Sequence, residues 1–377
     1  MPSLLIISHT KHYKTENGII VGWEPTVREI NHLTKLFDTI IHAAPLSFGI
    51  PHTANISYSS NKISFIPLIP TGGNGIIKKF GILFFMPINL IRIIKIIKKV
   101  EWVHFRAPTN LGLFVLPLLL LYKNKKKWFK YAGSWKQKSI PFSYRLQRWW
   151  LRNNFNNSIV TINGNWEKQA SHLLSFHNPC LTERELSDAN TIGFKKDFSG
   201  LLNICFVGRA GNNKGATVLL EALSSVKKIN ISNEVNFIGL EEKDIAINSF
   251  SLGSARIKCN GWISRSQLDK IYAKSHLIIL PTKSEGFPKV IAEASAFGCI
   301  PIVTNIEPIN QIVINRKNGI LLDAPKVENI KNLFLNLKKK DYDLKGISNE
   351  AIIMSELFTY NRYLDRIKSE IIDANIK

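Results

Sequence analysis

Short apolar runs alternate with helix-length amphipathic segments along the whole chain. The first run, from Leu4 to Ile7, is continuous in the manner of a strand covered on both faces. A polar loop from His9 to Gly18 follows, and then a helical pattern over about 25–37. Further strand-like runs at 38–43, 62–68, 102–105, 128–131 and 158–162 are separated by segments long enough for helices, which predicts a parallel sheet with crossover helices. The second half repeats this grammar: strands at 202–207, 235–238, 277–280 and 301–303, with helices at 216–226, 266–273 and 288–297.

The pattern therefore reads as two doubly wound α/β domains, and 377 residues exceed what one hydrophobic core holds. The stretch 177–200 is polar and weakly periodic and reads as the linker. We place the domains at 1–180 and 181–357. The last helix, within 358–377, can pack on either half, the first included. Four isolated cysteines make no Cys-x-x-Cys pair, so neither a disulfide framework nor a zinc site is expected. The amino terminus has no basic stretch ahead of its short apolar run, and a cytoplasmic protein is expected.

Charge changes the picture of the first half. The net charge is +22, and residues 1–180 carry 23 Lys/Arg against 6 Asp/Glu. Such a one-sided field calls for a polyanionic partner, either a nucleic acid or an anionic membrane face. Residues 76–100 hold six Lys/Arg and no acid among Ile, Leu and Phe, and a lysine-rich cluster at 123–127 adjoins Trp128. The apolar run 111–122 contains Pro117 and is too short to span a bilayer. Attachment to one membrane face is expected, on the inner side of the cytoplasmic membrane; the alternative is a buried helix over 76–100 whose lysines reach water, with the lysine run a solvated loop. A basic nucleic-acid-binding protein, stacking bases on Trp128, Phe129, Trp149 and Trp150, is the alternative, but no nucleic-acid module is legible.

Candidate chemistry sits in the second half, at two strand ends. After the run Leu277–Leu280 comes Pro281-Thr282-Lys283-Ser284-Glu285-Gly286-Phe287, with a helix expected to start at Pro288. A helix amino terminus there suits a diphosphate. Glu285 in the loop and Glu293 in the helix can accept hydrogen bonds from vicinal hydroxyls; alternatively, Glu285 serves the helix dipole and Glu293 is solvated. The second strand end, Val207-Gly208-Arg209-Ala210-Gly211-Asn212-Asn213-Lys214-Gly215, joins glycines that permit close approach to two cations suited to a diphosphate. It is not a Walker A loop, since no Ser or Thr follows the lysine. A third piece, Asn260-Gly261-Trp262-Ile263-Ser264, can offer an apolar wall to a nucleobase or be a simple core turn.

These stretches, FVGRAGNNKG (206–215), the run 259–305 and NGILL (318–322), resemble glycosyltransferase family 4, the retaining group 1 glycosyltransferases. The resemblance implies the GT-B fold, two Rossmann-like doubly wound domains facing a central cleft. It implies transfer of a hexose-type sugar from a nucleotide diphosphate sugar; the cationic first half suits a glycan or lipid-linked acceptor held at an anionic membrane face, as in surface polysaccharide or lipopolysaccharide assembly. Arg209, Lys214 and Glu285 would be catalytic. Gly208, Gly215, Trp262, Ile263, Gly286, Phe287, Pro288, Lys289 and Glu293 would hold the donor, with Glu285 at the sugar hydroxyls and Glu293 at the ribose. No metal or other cofactor is implied, and no nucleic acid. Many relatives carry a His in a first-domain loop, where this chain reads 130–135 (KYAGSW) instead. His9, His104, Arg106 and Ser134 are the acceptor-side candidates, with Gly18 standing in for a family-typical glycine pair. These departures keep open a non-catalytic partner subunit that still binds the donor.

Overall fold

The computed structural model describes residues 2–71, 76–137, 140–209, 213–226, 232, 234–244, 256–338 and 341–375. The chain divides into two units, Met1–Phe176 with Arg362–Lys377, and His177–Asn361.

The first unit runs β1 (Ser3–Ile7), β2 (His12–Lys14), β3 (Ile20–Trp23), α1 (Glu24–Leu33), β4 (Thr39–Pro45), β5 (Asn55–Ser57), β6 (Ile63–Leu68), α2 (Ile76–Ile97), β7 (Trp102–Ala107), α3 (Gly112–Leu118), β8 (Lys126–Ser134), α4 (Phe142–Arg152), β9 (Ile159–Asn163) and β10 (Leu173–Ser175). Seven strands form one parallel sheet in the order β10-β9-β8-β7-β1-β4-β6. Side chains of α2, α3 and α4 pack with Leu5, Phe105, Phe129 and Val160 on one face. On the other face Ile30 and Leu33 of α1 pack with Leu4, Ile6 and Trp102, joined by Tyr363, Leu364 and Ile367 from the chain's last segment. The loop expected over His9–Gly18 instead contains β2, which pairs antiparallel with β3, and β3 with β5.

The second unit runs α5 (Glu183–Gly193), β11 (Ile204–Val207), α6 (Ala216–Ser225), β12 (Glu234–Ile238), β13 (Arg256–Cys259), α7 (Arg265–Lys274), β14 (Leu277–Leu280), α8 (Lys289–Ala296), β15 (Ile300–Thr304), β16 (Ile320–Leu322), α9 (Val327–Lys338) and α10 (Leu344–Ser355); α11 (Tyr360–Ile367) follows, its residues from Arg362 on counting with the first unit. Its sheet is parallel, in the order β13-β12-β11-β14-β15-β16. The expected linker contains α5, whose start is fixed by a reciprocal cap: Thr182 Oγ1 accepts from Glu185 N while the Glu185 carboxylate accepts from Thr182 N.

Strand order turns the two units into ligand-binding frames of the same kind. In each sheet the chain winds outward in both directions from a central pair of strands, β1 and β7 in the first, β11 and β14 in the second. At such a reversal the connections leave on opposite faces and a crevice opens beyond the carboxyl ends.

Candidate functional site

The reversal between β11 and β14 in the second unit carries the two motifs singled out in the sequence. Asn213 ties them together: its carbonyl oxygen accepts from Lys283 N at 2.8 Å and from Thr282 Oγ1 at 2.9 Å. Gly215, at φ +83°, caps α6 where the loops touch, and a Cβ there would lie 2.3 Å from the Pro281 carbonyl oxygen. Only glycine satisfies both the left-handed backbone and that approach. Gly208 follows β11, its N–H donating to Ile238 O at 3.0 Å. Ala210, Gly211 and Asn212 lie outside the described residues.

Across this junction the Lys214 ammonium pairs with the Glu285 carboxylate, both side chains partly exposed. The sequence placed them on separate motifs; the fold makes them one ion pair. Arg209 is exposed, its guanidinium 5.4 Å from the centre of the Trp262 ring, which borders the same strand ends from β13. Ile263, beside it, packs on the core. Gly286 is buried, and Phe287 stacks on Phe358 at 4.6 Å. Pro288 is not the first helical residue expected of it: at ψ 117° it is extended and caps α8, which begins at Lys289 with no side-chain cap. Ile291 N–H donates to Pro288 O at 3.0 Å, and the start of α8 carries the helix's positive dipole end.

Glu293 departs from the solvated alternative. It is buried, and its Oε1 accepts from Arg265 at 2.6 Å. Arg265 also donates to Asp269 at 2.9 Å and opens α7, whose start is fixed by the Ser264–Gln267 cap. Burial alone would lower the Arg265 pKa; Glu293 and then Asp269 outweigh it and hold the pKa well above its ordinary value. Sequence reasoning missed Arg265 as a partner, although it lies inside the quoted stretch 259–305. Among the described residues no group of three His, Cys, Asp or Glu side chains is placed to hold a metal ion.

The first unit presents its own candidates at the ends of β8, β7 and β1, which are neighbours. His9 is exposed just past β1. Arg106 is committed to Glu29 of α1, which is fully buried, through contacts of 3.1 and 3.4 Å. Lys130 Nζ at 2.7 Å and the Tyr363 hydroxyl at 3.0 Å donate to the same carboxylate. The stretch 130–135 is thus not a loop: Lys130 lies inside β8, which runs to the buried Ser134. His104 is sealed inside β7, donating to Trp128 O at 3.0 Å, and burial followed by Arg106 holds its pKa well below normal; it faces no open space. Gly18, at φ +79°, makes the turn between β2 and β3 and is explained by that turn.

A polar circuit that the sequence did not suggest fixes the backbone on either side of His9. Thr10 N–H donates to Ser8 Oγ at 3.2 Å, and Ser8 to His42 Nε2 at 2.8 Å. His42 Nδ1–H donates to Tyr58 at 2.6 Å, Tyr58 to His12 Nε2 at 2.8 Å, and His12 Nδ1–H to Thr10 O at 2.8 Å. Only this direction works, because Thr10 O can only accept and both rings are neutral. Burial lowers His12 to about 4 and holds His42 well below its usual value, with the His12 and Arg106 charges adding to the latter.

Residues 191–353 match the family described as glycosyl transferases group 1. An uncharacterized glycosyltransferase of Haemophilus influenzae is 25% identical over 188 residues, 48% of this chain and 53% of that one. A capsular polysaccharide biosynthesis glycosyltransferase of Staphylococcus aureus is 28% identical over 134 residues, 34% of this chain and 36% of that protein. The matched segments thus span about half or less of these relatives' lengths. Among solved structures, an Anabaena protein in complex with UDP and glucose superposes with a TM-score of 0.68 at 13% identity, covering 98% of this chain and 99% of its own. That likeness establishes the fold, two α/β units of the GT-B class.

Proposed function

We propose that this chain, a group 1 glycosyltransferase by its residues 191–353, moves a hexose-type sugar from a nucleotide diphosphate sugar to a glycan or lipid-linked acceptor in the assembly of a surface polysaccharide. The observation that carries the reading is the Lys214–Glu285 pair bridging two strand-end loops at the reversal between β11 and β14. In this scheme the diphosphate enters between Lys214, Arg209 and the positive dipole end of α8. Lys214 then exchanges part of its bond to Glu285 for phosphate oxygens, which frees the Glu285 carboxylate to accept from sugar hydroxyls. Glu293, held by Arg265, accepts from the ribose, and Trp262 borders the base.

Transfer proceeds with retention, the acceptor attacking the face from which the diphosphate leaves and a departing phosphate oxygen taking the acceptor proton. Charge develops on that oxygen as the bond breaks, and Arg209 and Lys214 stabilise it where it forms. No metal takes part. The S. aureus relative's role in capsular polysaccharide biosynthesis supports the acceptor class, and the Anabaena protein's UDP and glucose support the donor class.

A thermal-shift screen over UDP-, GDP- and ADP-sugars identifies the donor, since a ligand bound only by the folded chain raises the melting temperature. With it, Arg209→Ala and Lys214→Ala each lower turnover by roughly tenfold or more, and EDTA changes nothing. Full activity in either variant, or strict Mg²⁺ dependence, defeats the scheme.

A further inference from the structure

Three connections of the first sheet, β6–α2–β7, β7–α3–β8 and β8–α4–β9, all advance in one direction across parallel strands. With right-handed crossovers they must lie on one face. They do: Met86 and Ile93 of α2, Val115 and Leu116 of α3, and Leu151 of α4 share one core, and α3 touches α2 on one flank and α4 on the other.

The outward side of this helical layer is not what a water-facing layer needs. On α4, Phe142, Leu146 and Trp149 recur at i, i+4 and i+7 and are 74%, 38% and 51% exposed. On α2, Phe84, Ile88 and Ile91 repeat the same spacing and are also exposed. Leu121, just after α3, is 79% exposed. A helix stripe at this spacing normally faces a core. Here two such stripes on the same layer face outward.

Charge states what covers them. Arg145 and Arg152 alternate with the α4 stripe on its exposed side; Lys95 continues the α2 stripe, and the exposed Lys98 and Lys99 follow just past the end of α2. Residues 76–152 contain 17 Lys/Arg, of which Arg106 and Lys130 are turned inward to Glu29, and a single acid, Glu101, which lies between α2 and β7. A protein partner or second copy with mixed charge gains little from such a surface. An anionic bilayer supplies both an apolar boundary for Phe and Trp and a negative plane for the arginines. No helix among the described residues is long and apolar enough to cross a membrane, so contact is from one side.

We propose that the outer face of α2, α3 and α4 is a lipid-docking surface, with the Phe142–Leu146–Trp149 stripe entering the headgroup region of an anionic leaflet and Arg145 and Arg152 pairing with its phosphates. The inference does not rest on the transferase reading, because binding is measured without donor or acceptor.

The test is flotation of the full chain with vesicles of phosphatidylcholine alone and of phosphatidylcholine containing about a third phosphatidylglycerol. Binding favours the anionic vesicles by roughly tenfold or more. The double variant Phe142→Ser/Trp149→Ser loses roughly tenfold, as does Arg145→Glu/Arg152→Glu. All four positions are exposed, and although Trp149 rests on Phe155 its loss shifts the melting temperature only slightly. Lys270→Glu/Lys317→Glu, a charge-matched change in the second unit, alters binding by less than about threefold. Flotation indifferent to lipid charge, or both stripe variants floating like the parent, overturns the proposal. So does a chain that is dimeric without lipid and becomes monomeric in Phe142→Ser/Trp149→Ser, since the stripe then belongs to a second copy.

Discussion

Glu29 in the first unit and Glu285 in the second are both carboxylates held by a lysine, in units whose sheets wind alike, yet they are built for different ends. Glu29 is sealed from solvent and collects Arg106, Lys130 and the Tyr363 hydroxyl from two strands and the chain's last segment. Glu285 stands partly exposed in a loop, with Lys214 opposite it on another loop. A carboxylate whose oxygens are fully engaged inside a core organises structure. One held loosely at a strand reversal can change partners when a ligand arrives.

The comparison breaks most sharply at Glu29. Replacing it with Gln leaves two enclosed cations without their counter-charge and should destabilise the first unit by about 3–5 kcal/mol. Seven of the eight tryptophans lie before residue 177, so urea unfolding followed by tryptophan fluorescence reports on this unit. A loss under about 1 kcal/mol would mean that the cluster is not what ties the last segment to α1.

A smaller effect is expected at the circuit around His9. Tyr58→Phe strands a donor on His42 and an acceptor on His12, costing about 2 kcal/mol. The same circuit sets a pH dependence. His12 titrates near 4 in the folded chain, against an ordinary value of 6.5. Between those values the unfolded chain binds a proton that the folded chain refuses, so stability is complete above pH 6.5 and declines as pH falls toward 4. For His12 the full decline is roughly 3 kcal/mol. Chemical unfolding at a series of pH values measures it; a flat profile from pH 7 to 5 would show that the rings are not held neutral.

These two clusters explain what the sequence could not display. The strand-end motifs were legible because each is local: an apolar run, a glycine turn and the start of a helix are contiguous in FVGRAGNNKG and in the loop before α8. Glu29, Arg106, Lys130 and Tyr363 are scattered over most of the chain and meet only because α1, β7, β8 and the last segment pack together. The β2, β3 and β5 strands escaped for another reason. At three or four residues each, with polar His12 and Lys14 among them, they carry too few positions for a period of two to register. The helix α5 was readable and missed: Thr182 with Glu185 three residues on is a capping box, hidden by a polar segment with little apolar periodicity. Arg265 stood inside a stretch whose resemblance had already assigned roles to its neighbours, and only burial of Glu293 revealed what it holds.

The smallest stability effect belongs to the second member of the comparison. Glu285→Gln removes one partner of a partly exposed ion pair, and pairs of that kind contribute about 0–1 kcal/mol. Its circular dichroism melt should therefore nearly overlay the parent's. The donor-induced thermal shift should shrink or vanish, because a neutral amide accepts more weakly from sugar hydroxyls than a carboxylate does. The two readouts separate cleanly: a stabilising pair lowers the melt and leaves ligand response intact, whereas a partner-exchanging pair does the reverse. If Glu285→Gln instead melts as early as Glu29→Gln and still responds fully to donor, the two carboxylates are alike. Lys214 would then have no reason to lie across from Glu285 at the reversal of the sheet.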